Sequence, residues 1–432
     1  MKRTAIEELK KWQQSKRRKP LVLRGARQVG KTWLLKNFGA ENYESVAYFN
    51  LENNKALAGI FDLDYNTDRI IKGLENFSGQ KISPKTTLVI LDEIQEVPRA
   101  LESLKYFCEV APEYHISVAG SLLGVALHQD TSFPVGKVNF IDILPMSFCE
   151  FLMAMGKTNF AELLVSGKPE DIFPFHEVIF DLYRQYVLVG GMPEVVKVYT
   201  EGGNFADARE VQREILNSYE QDFSKHAPVN VVPKIREVFD ILPNQLAKEN
   251  KKFIFSLIRE GARAKDYEAA LLWLEDAGIA RRVKRINAAK KPISTYADMD
   301  IFKVFMLDTG LLGAKAELDF NSVLAPDNLF AEFKGALSEQ AVFSMLRAEG
   351  TTPFYFANDD SRGEIDFIIE HGGRILPIEV KSGKNLQSKS LNSFLEKHTE
   401  IGAAIKFSIL PYNKGEKIVN MPLYLPVRED LI

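Results

Sequence analysis

The run of apolar and polar positions divides the chain into three stretches of different character. Residues 4–15 carry Ile6 and Leu9 on one side of a short amphipathic helix. Pro20 and the run LVLRG then open a buried strand that ends in glycine. A helix follows over 31–38, and after it come four more apolar runs of strand length: SVAYFNLE (45–52), TTLVILDE (86–93), HISVAGS (115–121) and KVNFIDIL (137–144). Helical stretches lie between the first four. Unalternated strands separated by helices are the signature of a mostly parallel sheet covered on both faces. Residues 1–200 are therefore expected to form an α/β domain.

From 205 to 290 helical patterns replace the strands, over 205–222, 232–240, 248–259 and 266–277. The last leads into GIARRVKRINAAKKPISTYADMD, where short extended runs flank a basic turn. Short helices followed by a two-stranded basic hairpin resemble a winged helix, with a plain helical linker domain as the alternative for 201–320. A third unit, 321–432, starts with a long helix (331–350) carrying Phe333, Leu337, Ala341 and Met345 at i,i+4 spacing. The order that follows is β, β-hairpin, α, β, with Gly372-Gly373 as the tight turn of the hairpin.

Composition narrows the class. Of 432 residues 46% are hydrophobic, enough for more than one core, which excludes disorder and repeat architectures. A net charge of −3 gives no global field for nucleic acid. DNA then depends on local patches, at Arg281, Arg282, Lys284, Arg285, Lys290 and Lys291 or at Lys16-Arg17-Arg18-Lys19, and a solvated face accounts for either equally well. Cys108 and Cys149 are too few for a disulfide scaffold or a four-ligand zinc site. Together with Trp12, Trp33 and Trp273 they read as packing residues. No apolar window is long enough to cross a membrane and no signal peptide is evident, so a cytoplasmic location is expected.

The strongest chemical signal is Gly25-Ala26-Arg27-Gln28-Val29-Gly30-Lys31-Thr32, a G-x-x-x-x-G-K-[ST] phosphate loop between a strand and a helix. Its glycines let the backbone curl so that N–H groups face the phosphates. Lys31 supplies a point charge for the β- and γ-phosphates of ATP, and the Thr32 hydroxyl suits Mg²⁺. In LVILDE (88–93), Asp92 ends a central strand and is the second Mg²⁺ candidate. Glu93 beside it is the candidate base for a water that attacks the γ-phosphate. Ser121, at the end of its own strand, is either a γ-phosphate sensor or a helix N-cap.

The phosphate loop, LVILDEIQEVP, VAGS, SFPVGKVNFIDILPMSFCEFL and Gly190-Gly191-Met192-Pro193-Glu194 together resemble a widespread prokaryotic family of AAA-type ATPases with a C-terminal domain of unknown function. The resemblance implies a P-loop NTPase sheet of the AAA type, in which strands 21–24 and 88–91 flank the strand carrying Ser121. Where that family has Gly-Arg this chain has Gly136-Lys137. Lysine lacks the planar fork of an arginine finger, which weakens the case for a ring and leaves monomer and dimer open.

A second constellation lies near the C-terminus. Asp366 falls in one apolar run, and Glu379 and Lys381 lie on one face of the next. A hairpin turning between 372 and 373 sets 366 opposite 379, since the indices sum to 745. Glu339, on the long helix, is a third carboxylate. Two carboxylates, Asp366 and Glu379, suit a divalent cation held against a scissile phosphate, with Lys381 orienting water. The four residues resemble the PD-(D/E)xK nuclease superfamily, which implies a restriction-endonuclease-like α/β fold for 321–432. Two readings follow: an ATPase coupled to a DNA-cutting module, or a nucleotide-dependent switch whose module binds DNA or protein without cutting. Convergence of the carboxylates on one pocket favours the first, and salt bridges that lock them favour the second.

Overall fold

The structure is a computed structural model. It describes residues 1–120, Gly124, 133–248, 252–319, 331–357, 363–383 and 387–432. The chain forms two compact units. One comprises Lys2–Leu144 with Asp276–Gly278, and the other contains Pro145–Glu275 and Ile279–Ile432.

The first unit is built on five parallel strands: β1 (Leu21–Arg24), β2 (Ser45–Asn50), β3 (Thr87–Asp92), β4 (His115–Ala119) and β5 (Asn139–Asp142). Their order is β2-β3-β4-β1-β5, so β4 lies between β1 and β3. Leu21 pairs with Ser117, and Leu88 with His115. Every residue of β3 and β4 is buried, as expected for central strands covered by helices on both faces. One core packs β3 and β4 against the helices Lys55–Asp62, Thr67–Ser78 and Pro98–Val110 through Phe61, Ile70, Leu74, Leu101 and Phe107.

In the second unit a helical region (Phe148–Leu246) precedes an eight-stranded mixed sheet. Its strands are β6 (Ala280–Ile286), β7 (Ala297–Met306), β8 (Phe354–Phe356), β9 (Ile365–His371), β10 (Arg374–Lys381), β11 (Ala404–Ser408), β12 (Asn413–Lys414) and β13 (Ile418–Pro422). The order is β12-β13-β11-β10-β9-β8-β6-β7. This corrects the winged-helix reading of 201–320. The basic hairpin is β6–β7, and β6 gives its other edge to β8 in parallel pairing, so it is part of the large sheet and not a wing. The expected helix over 248–259 is also absent from its described residues. Phe253 donates its N–H to the Phe302 carbonyl on β7, and the Phe253 ring stacks on Phe302 at 5.8 Å. Pairing along β7 overrides the helical spacing, leaving one 3-10 turn, Phe255–Leu257.

The Gly190-Gly191 turn is closed by Asp308. Its Oδ2 accepts from the Gly191 N–H at 2.6 Å, and its Oδ1 caps the helix Thr309–Lys315 at Leu311 N–H. Gly190 has φ +77°, and a Cβ there would lie 2.1 Å from Asp308 Oδ1. Gly190→Ala is therefore expected to destabilise the second unit by about 2 kcal/mol or more, from left-handed strain and overpacking together. Chemical denaturation of the two proteins checks it, and equal midpoints would mean that the turn is not held this way.

Candidate functional site

The phosphate loop joins β1 to the helix Lys31–Asn42 through three residues of positive φ, at Gly25 (+142°), Gln28 (+66°) and Gly30 (+91°). At Gly25 the requirement for glycine is also spatial, since a Cβ would sit 2.2 Å from the Ile143 carbonyl oxygen. Lys31 curls back over this loop and is buried. Its Nζ donates to the carbonyls of Gly25 and Ala26, both at 2.8 Å. Burial pushes its ammonium down to about 8, against the opposing pull of the Glu93 and Asp92 carboxylates.

Asp92 is buried at the end of β3. Its Oδ2 accepts from Thr32 Oγ1 at 2.7 Å and from the Tyr48 hydroxyl at 2.9 Å, while Oδ1 accepts from the Glu93 N–H at 3.1 Å. A hydroxyl and a carboxylate in contact beside a phosphate loop are oxygen donors of the kind that Mg²⁺ takes with a nucleotide, so this donor set fits the ion. Glu93 adopts left-handed backbone, φ +51°, a conformation that costs a non-glycine residue about 1–2 kcal/mol. Its Oε2 accepts from Gln95 Nε2 at 2.6 Å.

Tyr48 escapes a reading of the sequence. Its only signal is its place on β2, two residues before Asn50, which pairs with Asp92, and that requires knowing that β2 and β3 are neighbours. Its ring carries the Lys36 ammonium 3.4 Å from the centroid, and burial together with Asp92 pushes its hydroxyl well above the usual tyrosine range. Ser121 lies outside the described residues. Lys137 is engaged on the surface by Glu109 at 2.8 Å. Of the tryptophans, Trp12 and Trp273 are buried, but Trp33 is 46% exposed, which corrects its reading as a packing residue. Burial raises the Cys149 thiol to about 12, so it is no nucleophile at neutral pH.

In the second unit, β9 and β10 pair in the expected register, from Arg374 opposite His371 to Ile378 opposite Phe367. Continued by one step, this register would set Glu379 opposite Asp366. The surroundings differ from those of a metal centre. Asp366 Oδ2 reaches across and accepts the Val380 N–H at 2.8 Å. Glu379 is buried and pairs through Oε1 with Lys381 Nζ at 2.8 Å. Lys303 of β7, with no exposed side-chain surface, forms an ion pair with Glu364 and lies 3.9 Å from Glu339 Oε2. Glu364, Glu339 and Asp366 together hold its ammonium above the usual lysine range despite full burial. No group of three or more His, Cys, Asp or Glu among the described residues is arranged to hold a metal. An ammonium already among the carboxylates opposes a second cation by on the order of 4 kcal/mol per unit charge at 4 Å. The residues present do not fit a divalent ion.

Two arginines of the basic hairpin are ion-paired. Arg282 is bound by Glu268 and Glu275, both at 2.7 Å, and Arg285 by Asp298 at 3.0 Å. Lys291 donates to the Gly373 carbonyl. In the first unit, Arg18 donates to the Pro112 carbonyl and Lys19 to that of Gly136.

Three stretches of the chain match known family models. Residues 17–152 match an AAA domain family model, residues 180–322 a domain of unknown function (DUF8612), and residues 334–429 another (DUF4143). No curated protein matches the chain. Among solved structures, a Walker-type ATPase of Pyrococcus abyssi is 17% identical, over 72% of this chain and 94% of that one, with a TM-score of 0.45. The ORC1 protein of Aeropyrum pernix, solved in complex with DNA, is 13% identical over 74% and 92%, at 0.29. Cdc6p of Pyrobaculum aerophilum is 11% identical over 78% and 92%, at 0.25. No helix among the described residues is long and apolar enough to cross a membrane. The N-terminal part of the chain is an AAA-type P-loop ATPase domain.

Proposed function

We propose that the N-terminal unit binds ATP with Mg²⁺ at the 25–32 loop and hydrolyses it to ADP and phosphate, with Glu93 as the base. The observation that carries this reading is the direct Thr32–Asp92 contact at 2.7 Å beside the buried Lys31. Backbone N–H groups of the loop, from Ala26 to Gly30, and the start of the helix Lys31–Asn42 meet the phosphates. Lys31 leaves the carbonyls of Gly25 and Ala26 for the phosphate oxygens. Thr32 and Asp92 hold the Mg²⁺, which neutralises charge on the β- and γ-phosphates when bound. Glu93 orients the attacking water and accepts its proton, and Gln95 aims the carboxylate. Phosphate release from ATP by the purified chain, with and without Mg²⁺, tests the reading.

The pH dependence of binding is a second check. Free Lys31 titrates at about 8, and bound phosphates raise it, so above pH 8 binding takes up a proton. ATP affinity is then expected to fall by up to about tenfold per pH unit above 8 and to stay flat below it. Calorimetric titration between pH 7 and 9.5 reads it; a flat profile would remove Lys31 from the phosphates.

For the second unit the observations favour a switch over a nuclease. Lys303 and Lys381 engage the carboxylates that cleavage would need. ATP state then alters how this unit binds a partner, and DNA is the partner its remaining free basic residues, such as Arg281, suit. Incubation with single-stranded, duplex and branched DNA in Mg²⁺ or Mn²⁺ is expected to leave every substrate intact. Cleavage that disappears in Asp366→Asn would restore the nuclease reading.

A further inference from the structure

The carboxylate cluster of the second unit has a cation of its own. We infer that the Lys303 ammonium is the permanent counter-ion of Glu339, Glu364 and Asp366, taking the place of a divalent metal. The inference deepens the non-cleaving reading of this unit and is independent of the ATP site. Three parts of the chain distant in sequence bring charge to one nitrogen: β7 supplies Lys303, the helix Ala331–Ala348 supplies Glu339, and Glu364 just before β9 and Asp366 within it supply the rest. The lysine stem has no exposed surface, and its Nζ lies 4.8 Å from the centroid of the Tyr355 ring. The ammonium itself is enclosed, although its partner Glu364 keeps a quarter of its side-chain surface exposed. A divalent ion would have to draw carboxylate oxygens to about 2.0–2.6 Å in a space the ammonium already holds.

A tethered ammonium differs from a metal in consequence. It neutralises the cluster at every metal concentration, resists chelators and polarises no water. Lys381 does the same for Glu379, whose Oε2 is buried without a hydrogen-bond partner. The arrangement keeps a carboxylate cluster folded without providing a Lewis acid.

The test uses the full-length chain without nucleotide, carrying Asp92→Asn so that the phosphate-loop site contributes no metal binding. Bound Mn²⁺ is counted by electron paramagnetic resonance up to millimolar concentration. With Lys303 in place no Mn²⁺ site is expected. Lys303→Gln on the same background should gain one site per chain, and adding Asp366→Asn should abolish it. Mn²⁺ bound while Lys303 is present, and lost with Asp366→Asn, would overturn the inference. So would a folded Lys303→Gln chain that gains no site. Should Lys303→Gln not fold by circular dichroism, Lys303→Gln/Glu364→Gln removes the ammonium with its ion-pair partner, and a folded double variant that gains no site overturns the inference in its place.

Discussion

Lys31→Ala is expected to weaken ATP binding by roughly 10²- to 10³-fold without unfolding the chain. Truncating one member of a buried charge pair costs about 2–5 kcal/mol, because the partner charge is left without compensation. The loop N–H donors, the helix N-terminus and the Mg²⁺ ligands Thr32 and Asp92 remain; of these the helix N-terminus contributes about 0.3–2 kcal/mol, and none supplies the lost ammonium charge. Without nucleotide the ammonium rests on two carbonyls of its own loop, so its loss breaks hydrogen bonds to the loop backbone and not to another side chain. Equilibrium titration with ATP–Mg²⁺ against a circular dichroism control measures the effect. Affinity within a few-fold of the parent would show that the loop does not hold phosphate as described.

The first unit was legible because its signals are local. A strand, a glycine loop and a helix lie within twenty-two residues of sequence, and the 88–93 run announces both a buried strand and its acidic end. The placement of β4 between β1 and β3 came from resemblance, since order in a parallel sheet is not written in periodicity. The second unit was legible only in part. Hairpin symmetry about 372 and 373 fixed the β9–β10 register, because a two-glycine turn leaves little freedom in pairing. The hairpin of 280–306 was misread because its pattern does not reveal β8 on its far side. Lys303 carried no signal at all. It stands in KVFM like any strand-edge charge, and only the return of Glu339 and Glu364 to it shows why a lysine is buried there. Gln340 is similar: buried on the same helix as Glu339, it bonds both the N–H and the carbonyl of Met306, capping β7 in a way no hydrophobic stripe foretells.

Glu93→Gln is expected to keep ATP binding close to parental and to lower turnover by roughly 10²–10⁴-fold, the usual worth of a positioned general base. The amide is nearly isosteric and preserves a side-chain partner for Gln95, but it cannot accept the proton of the attacking water. The backbone at φ +51° costs strain of the kind that clusters at active sites, although Asn53, Lys85 and Glu317 share it outside the site. Binding is left to Lys31, the loop N–H groups, Thr32 and Asp92, all of which keep their place when the substitution removes only the Glu93 charge that acts on Lys31. The measurement is single-turnover phosphate release from ATP–Mg²⁺ prebound to the parent and to Glu93→Gln. Release by the parent, with the variant holding its ATP at least about 10²-fold longer, is the predicted result. Equal release from the two proteins would contradict the account.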